Sequence, residues 1–324
     1  MGRVCNDGGV SVPIAQLVRN GFVEGVHYGS AVVLNADGSI QWSMGDVESQ
    51  IFPRSCNKLM QGLAMVRAGV PLNGRLLALA CASHSGEQIH IDGVHDILNA
   101  ANVDVDSLQC PVDFPLDEVE KDSLLAQGLE KSRLHMNCSG KHAAMLFTCV
   151  LNGWDTATYL ELDHPLQQAC KAVVEECTGE TVEHIGIDGC GAPLMSTSLT
   201  GLARSFAKFA GPNADPDQKK IADAIRSFPE YESGTRRDDF LLMKGVPGLL
   251  AKIGAEAVYG IGLPDGRALA LKIDDGADRA RIVAGATILR DVMGVTADII
   301  EKQTSIEVLG GGKPVGAITA RVKG

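Results

Sequence analysis

Gly29-Ser30-Ala31-Val32-Val33-Leu34-Asn35-Ala36-Asp37-Gly38-Ser39-Ile40-Gln41-Trp42-Ser43 is the stretch on which the fold turns. Two short apolar runs, Gly29 to Leu34 and Ser39 to Ser43, flank Asn-Ala-Asp-Gly, a sequence suited to the tight backbone of a hairpin. The arrangement returns near the other end, where Ala257 to Leu263 and Arg267 to Ile273 bracket Pro264-Asp265-Gly266. Between the hairpins the apolar spacing becomes helical. Ser55 to Ala68 carries Leu59, Leu63 and Val66 on one face. His142 to Leu151 stops at Asn152-Gly153, and Pro165 to Cys177 opens with proline and closes before Gly179. Ser198 to Ala210 and Ala280 to Met293 complete the set. Strands at both ends with helices between predict an α+β fold, not alternating βαβ units: an antiparallel sheet built from both termini, packed on a helical insertion. We expect a single catalytic domain over 1–324, with its sheet portion at about 1–54 and 255–324 and its helical portion at about 55–254. Gly211 to Asp217 reads as a loop between helices.

At 324 residues and 45% hydrophobic, the chain can bury a large core. Its net charge of −11, with no basic block, argues against nucleic acid or an anionic membrane as partner. No apolar run approaches the ~18 residues of a membrane span. Met1 to Gly21 carries Asp7 and several glycines and no apolar signal region. A soluble, cytoplasmic protein is expected. Nine cysteines without framework spacing suit a reducing compartment. Cys149, Cys170 and Cys177 fall in helical patterns, where a free thiol is a small hydrophobe. Cys138 and Cys190 sit instead in Gly-rich polar stretches.

Three segments carry chemistry. Phe52-Pro53-Arg54-Ser55-Cys56-Asn57-Lys58 places a hydroxyl and an amine three residues apart, on one face of a helix. Pro53 disfavours a helical Phe52, so the helix should begin near Ser55, at the positive end of its dipole. Lys58 can serve as base if burial or a neighbouring cation lowers its pKa from about 10.4. Most Ser-x-x-Lys matches, however, are solvated helix positions. Cys81-Ala82-Ser83-His84-Ser85-Gly86-Glu87 is either a turn whose hydroxyls satisfy the backbone or a source of a second nucleophile or proton relay, Ser83. His84 reads as structural. Cys138, in Asn137-Cys138-Ser139-Gly140-Lys141-His142, and Cys190, in Gly186-Ile187-Asp188-Gly189-Cys190-Gly191, could meet at a zinc ion as thiolates. Spacing alone points to His142, four residues after Cys138, as the third donor.

Taken together these segments resemble the inducible, zinc-dependent L-asparaginases of rhizobial type, a family similar in fold to serine β-lactamases and penicillin-binding proteins. Arg19 to Glu24, His27-Tyr28-Gly29 and Lys272-Ile273-Asp274-Asp275-Gly276 extend the resemblance over most of the chain. It implies two Ser-Lys tandems, Ser55 with Lys58 and Ser83 with Lys272. It also implies zinc held by Cys138, Lys141 and Cys190, which displaces His142, with Asp188 beside the metal-bound water. A lysine ligand must lose its proton to bind. The expected reaction is hydrolysis of L-asparagine to L-aspartate and ammonia, with Ser55 favoured over Ser83 for the attack, Lys58 as base, Ser83 and Lys272 moving protons, and Arg54 either facing the substrate carboxylate or depressing the lysine pKa. The zinc is expected to orient substrate rather than supply hydroxide, since two thiolates make its bound water a poor acid. The same likeness implies a homodimer.

Two other classes compete. A glutaminase or β-lactamase-like hydrolase would share the Ser-Lys chemistry. The Lys-Thr-Gly and Ser-Asp-Asn tripeptides of the β-lactamases do not occur, and the strand reads Lys272-Ile273-Asp274. A zinc-stabilised binding protein would leave the Ser-Lys tandems unexplained.

Overall fold

The computed structural model describes residues 10–322. Part of the N-terminal stretch read for a signal, and Cys5, lie outside the described residues. The hairpin turn forms as read: the Asn35 N–H donates to the Ser39 carbonyl at 2.8 Å, the Gly38 N–H to Asn35 at 2.9 Å, and Gly38 has φ +85°.

Three strands come first, β1 (Val12–Arg19), β2 (Phe22–Leu34) and β3 (Ile40–Met44). A 3₁₀ turn, Arg54–Asn57, leads into α1 (Lys58–Arg67), followed by α2 (Gly74–Ala80), α3 (Gln88–Ala101), α4 (Glu118–Ala126), α5 (Ser139–Asn152) and α6 (Pro165–Thr178). A small ribbon of β4 (Ile185–Ile187) and β5 (Pro193–Met195) precedes α7 (Leu199–Ala210), α8 (Pro216–Ser227), α9 (Pro229–Glu232) and α10 (Asp238–Gly245). The chain then returns to the sheet as β6 (Leu250–Gly254), β7 (Val258–Gly262) and β8 (Ala268–Ile273). It ends with α11 (Asp278–Asp291), α12 (Asp298–Gln303), β9 (Ser305–Gly310) and β10 (Lys313–Ala320).

The main sheet runs β6-β7-β8-β2-β1-β10-β9, with β3 pairing on β2, and its pairings are antiparallel. Both ends of the chain therefore build it: Ala15 to Arg19 pair with Ala320 to Gly316. Helices cover both faces. In β7, Tyr259 turns its ring to Gly285 of α11, and the next residue, Gly260, faces Phe206 of α7. Successive strand residues point to opposite faces, so α7 and α11 sandwich the sheet. A Cβ at position 260 would come within 2.2 Å of the Phe206 ring, which demands glycine there. With both faces covered, β6 and β7 are buried along their whole length.

Several elements differ from the sequence reading. β6 lies inside the stretch read as helical. β1, the first half of β2, and the β9–β10 hairpin extend the sheet beyond the two hairpins anticipated. The helix expected from Ser55 is a 3₁₀ turn that becomes α-helical only at Lys58. That displacement sets the site.

Candidate active site

The turn that carries Ser55 is strained at its first residue. Pro53 fixes φ at −70°, and Arg54 follows at φ +51°, a left-handed conformation costly for a side chain of this size. Three residues on, Lys58 heads α1 and is 1% exposed. Its Nζ donates to the Ala82 carbonyl and lies 2.9 Å from Ser83 Oγ and 3.1 Å from Cys138 Sγ. Burial lowers its pKa; the Cys138 sulfur opposes that, and Lys141 and Lys252 add to it. A neutral amine keeps two N–H donors and a lone pair, so it can donate to the carbonyl and the sulfur while taking the Ser83 proton.

Lys58 thus meets Ser83 rather than its own helix-mate, and no hydrogen bond joins it to Ser55. Ser83, 5% exposed, is fixed through its backbone: its N–H donates to the Glu232 carbonyl at 3.1 Å, and its carbonyl accepts from Arg237 Nη1 at 2.6 Å. Ser55 is half-buried. Both hydroxyls border one cavity of about 680 Å³, whose walls include Asn137, Arg237 and Glu256.

Lys272 is not brought to Ser83. Its amine donates to the carbonyls of Glu256 at 3.1 Å and Ile273 at 3.0 Å and borders a second cavity, about 690 Å³, that shares Glu256 with the first. Arg54 lines this second cavity and is already engaged: its Nε donates to Asp188 Oδ1 at 2.9 Å, and Glu256 lies 3.7 Å from Nη1. The Arg54–Asp188 pair ties the Ser55 turn to the loop bearing Cys190.

Cys138 and Cys190 come from separate segments to one buried site, close enough to couple electrostatically with each other and with Lys141. Lys141 Nζ lies 3.2 Å from Cys190 Sγ. The Cys138 S–H, above all, then Lys141 and His142, hold Cys190 far below the ordinary thiol range; the same contact, then burial, pushes Cys138 well up. Burial works against charge on Lys141, but the Cys190 and Cys138 sulfurs and Asp188 outweigh it and raise the amine above its usual value. His142 turns Nδ1 to the Tyr159 hydroxyl at 2.7 Å, and its buried Nε2 has no well-formed hydrogen bond. Two soft sulfurs and an amine form a donor set that fits zinc. Among the described residues no three His, Cys, Asp or Glu side chains are placed to share an ion, so the third protein donor would be the Lys141 amine. Such an ion must displace the proton that the thiolate holds on Lys141.

A family model described as L-asparaginase II matches residues 15–320. The chain belongs to the L-asparaginase II family. No curated protein matches it. Among solved structures it is similar to crystal structures of Mglu: the native form at 14% identity and TM-score 0.40, the match covering 82% of this chain and 64% of that one, and the tris and glutamate form at 11% identity and TM-score 0.38, covering 89% and 63%. The chain thus spans less than two thirds of each of these two Mglu chains.

Within this family member, the remaining reactive groups of the motif segments are structural. His84 is fully buried, lies with Nε2 2.8 Å from Ser139 Oγ and stacks on His90 at 5.0 Å. Burial lowers its pKa, so it stays neutral. Cys56 and Cys81 are pushed up to about 12 by burial and are inert thiols. Asn137, Arg237 and Glu256 were not anticipated as cavity residues. Asn137 stands beside a candidate ligand in sequence, and Arg236-Arg237-Asp238-Asp239 is a dense charge run. Glu256 had no sequence signal.

Proposed function

We propose that the protein hydrolyses the side-chain amide of L-asparagine to L-aspartate and ammonia through an acyl-enzyme on Ser55. The observation that carries this reading is the buried Lys58 amine set 2.9 Å from the Ser83 hydroxyl at the wall of a cavity that Ser55 shares. Ser55 is assigned the attack because it is the more accessible hydroxyl and is not committed to the amine, whereas Ser83 is nearly enclosed and already bonded to it. Ser55 Oγ adds to the amide carbon while its proton passes through Ser83 to Lys58. Lys58 returns that proton to the amide nitrogen, the C–N bond breaks, and ammonia leaves. Water then cleaves the Ser55 ester by the reverse proton path.

Lys272, bonded to the Glu256 and Ile273 carbonyls, would hold the rim of the cavity, where Glu256 and Ala257 both take positive φ. Cys138, Lys141 and Cys190 would hold zinc, which when bound supplies a positive centre that polarises and orients the substrate. A fold like that of the serine β-lactamases and a homodimeric assembly belong to the same reading; light scattering checks the latter.

The direct test is ammonia release from asparagine, glutamine and a chromogenic β-lactam by wild-type and Ser55→Ala protein, with mass spectrometry of the quenched wild-type reaction. An aspartyl adduct on the Ser55 peptide is the expected result. An adduct on Ser83 would reverse the two serines, and release from glutamine alone would change the substrate.

A further inference from the structure

Among the described residues, the charged side chains around the Ser55–Ser83 cavity are paired within the protein, except the exposed Glu118 and the cation Arg237. Arg281 is buried and donates to both oxygens of Asp238, at 2.8 and 3.1 Å, and to Asp278 at 3.0 Å. Asp117 accepts two hydrogen bonds from Arg236, each 3.0 Å long. Glu256 lies nearest Arg54. Arg237 stands apart. Its Nη1 donates to the Ser83 carbonyl at 2.6 Å, and among the described residues its Nε and Nη2 make no hydrogen bond and no carboxylate lies within ion-pair distance. Of the two buried acids near it, Glu232 pairs with Lys252 at 2.8 Å, and Asp239 accepts from the Ser233 hydroxyl at 2.5 Å and feels the Arg237 charge without a hydrogen bond to it. The wall therefore presents guanidinium Nε and Nη2 donors that no protein acceptor takes, beside the reactive serines.

We infer that Arg237 is the receptor for the α-carboxylate of the substrate. The inference rests on the asparaginase reading above and adds to it the group that selects free amino-acid amides. A guanidinium presents paired N–H groups that match a carboxylate in geometry and charge. Arg54, the cation that the sequence reading assigned to this task, is taken by Asp188 and borders the other cavity. Arg237 also grips the carbonyl of Ser83, whose hydroxyl rests on Lys58.

The test compares L-asparagine with its α-methyl ester, which keeps the ammonium and the side-chain amide but lacks the carboxylate. Wild-type, Arg237→Gln and Arg237→Lys proteins are assayed, with circular dichroism confirming the fold. Arg237→Gln should lose on the order of 30-fold in kcat/KM on asparagine, mainly through KM, as expected when a bound ion loses its partner. Hydrolysis of the ester should fall at least about 5-fold less than that of asparagine, and Arg237→Lys should recover part of the loss on asparagine. An equal loss on both substrates would reduce Arg237 to a prop for Ser83 and overturn the inference, as would no loss on either. If wild-type protein releases no ammonia from asparagine, the proposed reaction fails on its own. Calorimetry with L-aspartate then decides the subsite: Arg237→Gln must weaken binding at least about 10-fold, and unchanged or absent binding in wild type overturns it.

Discussion

Replacing Lys252 by Met should be among the most damaging single changes in this protein. Lys252 of β6 and Glu232 of α9 are completely buried and 2.8 Å apart, and Lys252 Nζ also donates to the Ile253 carbonyl at 3.1 Å. Removing the amine leaves a carboxylate in the core with Asp239 nearby. Breaking a buried pair from one side costs about 3–5 kcal/mol, a large share of the roughly 5–15 kcal/mol that holds a domain folded. Burial already raises the Glu232 pKa, and Lys252 is the main influence pulling it down. Without Lys252 the native carboxyl titrates still higher above its unfolded value of about 4.3. A raised carboxyl stabilises fully below the unfolded pKa and loses that contribution as pH rises through the native one. The deficit of the variant should therefore be smaller at pH 4.5 than at pH 7.5. Urea unfolding at both pH values measures it. A Glu232→Leu, Lys252→Met double variant should return to within about 2 kcal/mol of wild type, because a buried pair contributes little net stability. A single-variant deficit below about 1 kcal/mol, or one independent of pH, would refute the reasoning. Activity should fall with stability, since the Glu232 carbonyl anchors the Ser83 N–H.

Ser55→Ala should abolish turnover, by roughly 10⁴-fold or more, whereas Ser83→Ala, which removes a relay, should cost about 10²–10⁴-fold in kcat; steady-state ammonia assays separate the two. Cys190→Ser, or dialysis against a chelator, should lower the zinc-to-protein ratio measured by elemental analysis and raise KM for asparagine more than it lowers kcat. Lost turnover with intact asparagine binding would refute a positioning role for the ion. Asp117 caps α4 through the Val119 and Glu120 N–H groups, at 2.9 and 3.2 Å, so Asp117→Ala should cost about 1 kcal/mol at pH 7. Arg236, above all, holds the Asp117 carboxyl below its usual range. That stability is present above the unfolded pKa of about 3.9 and is lost as pH falls through the native one, so thermal melts of variant and wild type should converge in acid.

The two hairpins were legible because Asn35-Ala36-Asp37-Gly38 and Pro264-Asp265-Gly266 encode their turns locally. The ends of α5 and α6 were legible for the same reason: Gly153 and Gly179 take the left-handed conformation that stops a helix. β6 was not, because Leu250 to Gly254 is short and buried on both faces, and such a run carries no alternation to separate strand from helix. Ser55 and Lys58 were placed at the head of a helix by spacing. Spacing could not reveal that the Lys58 amine turns to Ala82, Ser83 and Cys138, because these come from other segments and are chosen by packing. Cys138 and Cys190 stood out as thiols off any apolar face, and they do meet. Arg237 and Glu256 join the cavity only through the return of the chain from α10 to β7, which no local pattern announces.

Ala15 to Arg19 lie beside residues more than 290 positions later in the chain. During synthesis one edge of β1 must therefore wait, unpaired, until β10 leaves the ribosome, while the helices made in between can already settle. Contacts of this reach slow folding and leave a strand edge open to other chains meanwhile. Loss of β10 would make that exposure permanent, so recombinant forms ending before Lys313 should aggregate beyond a dimer.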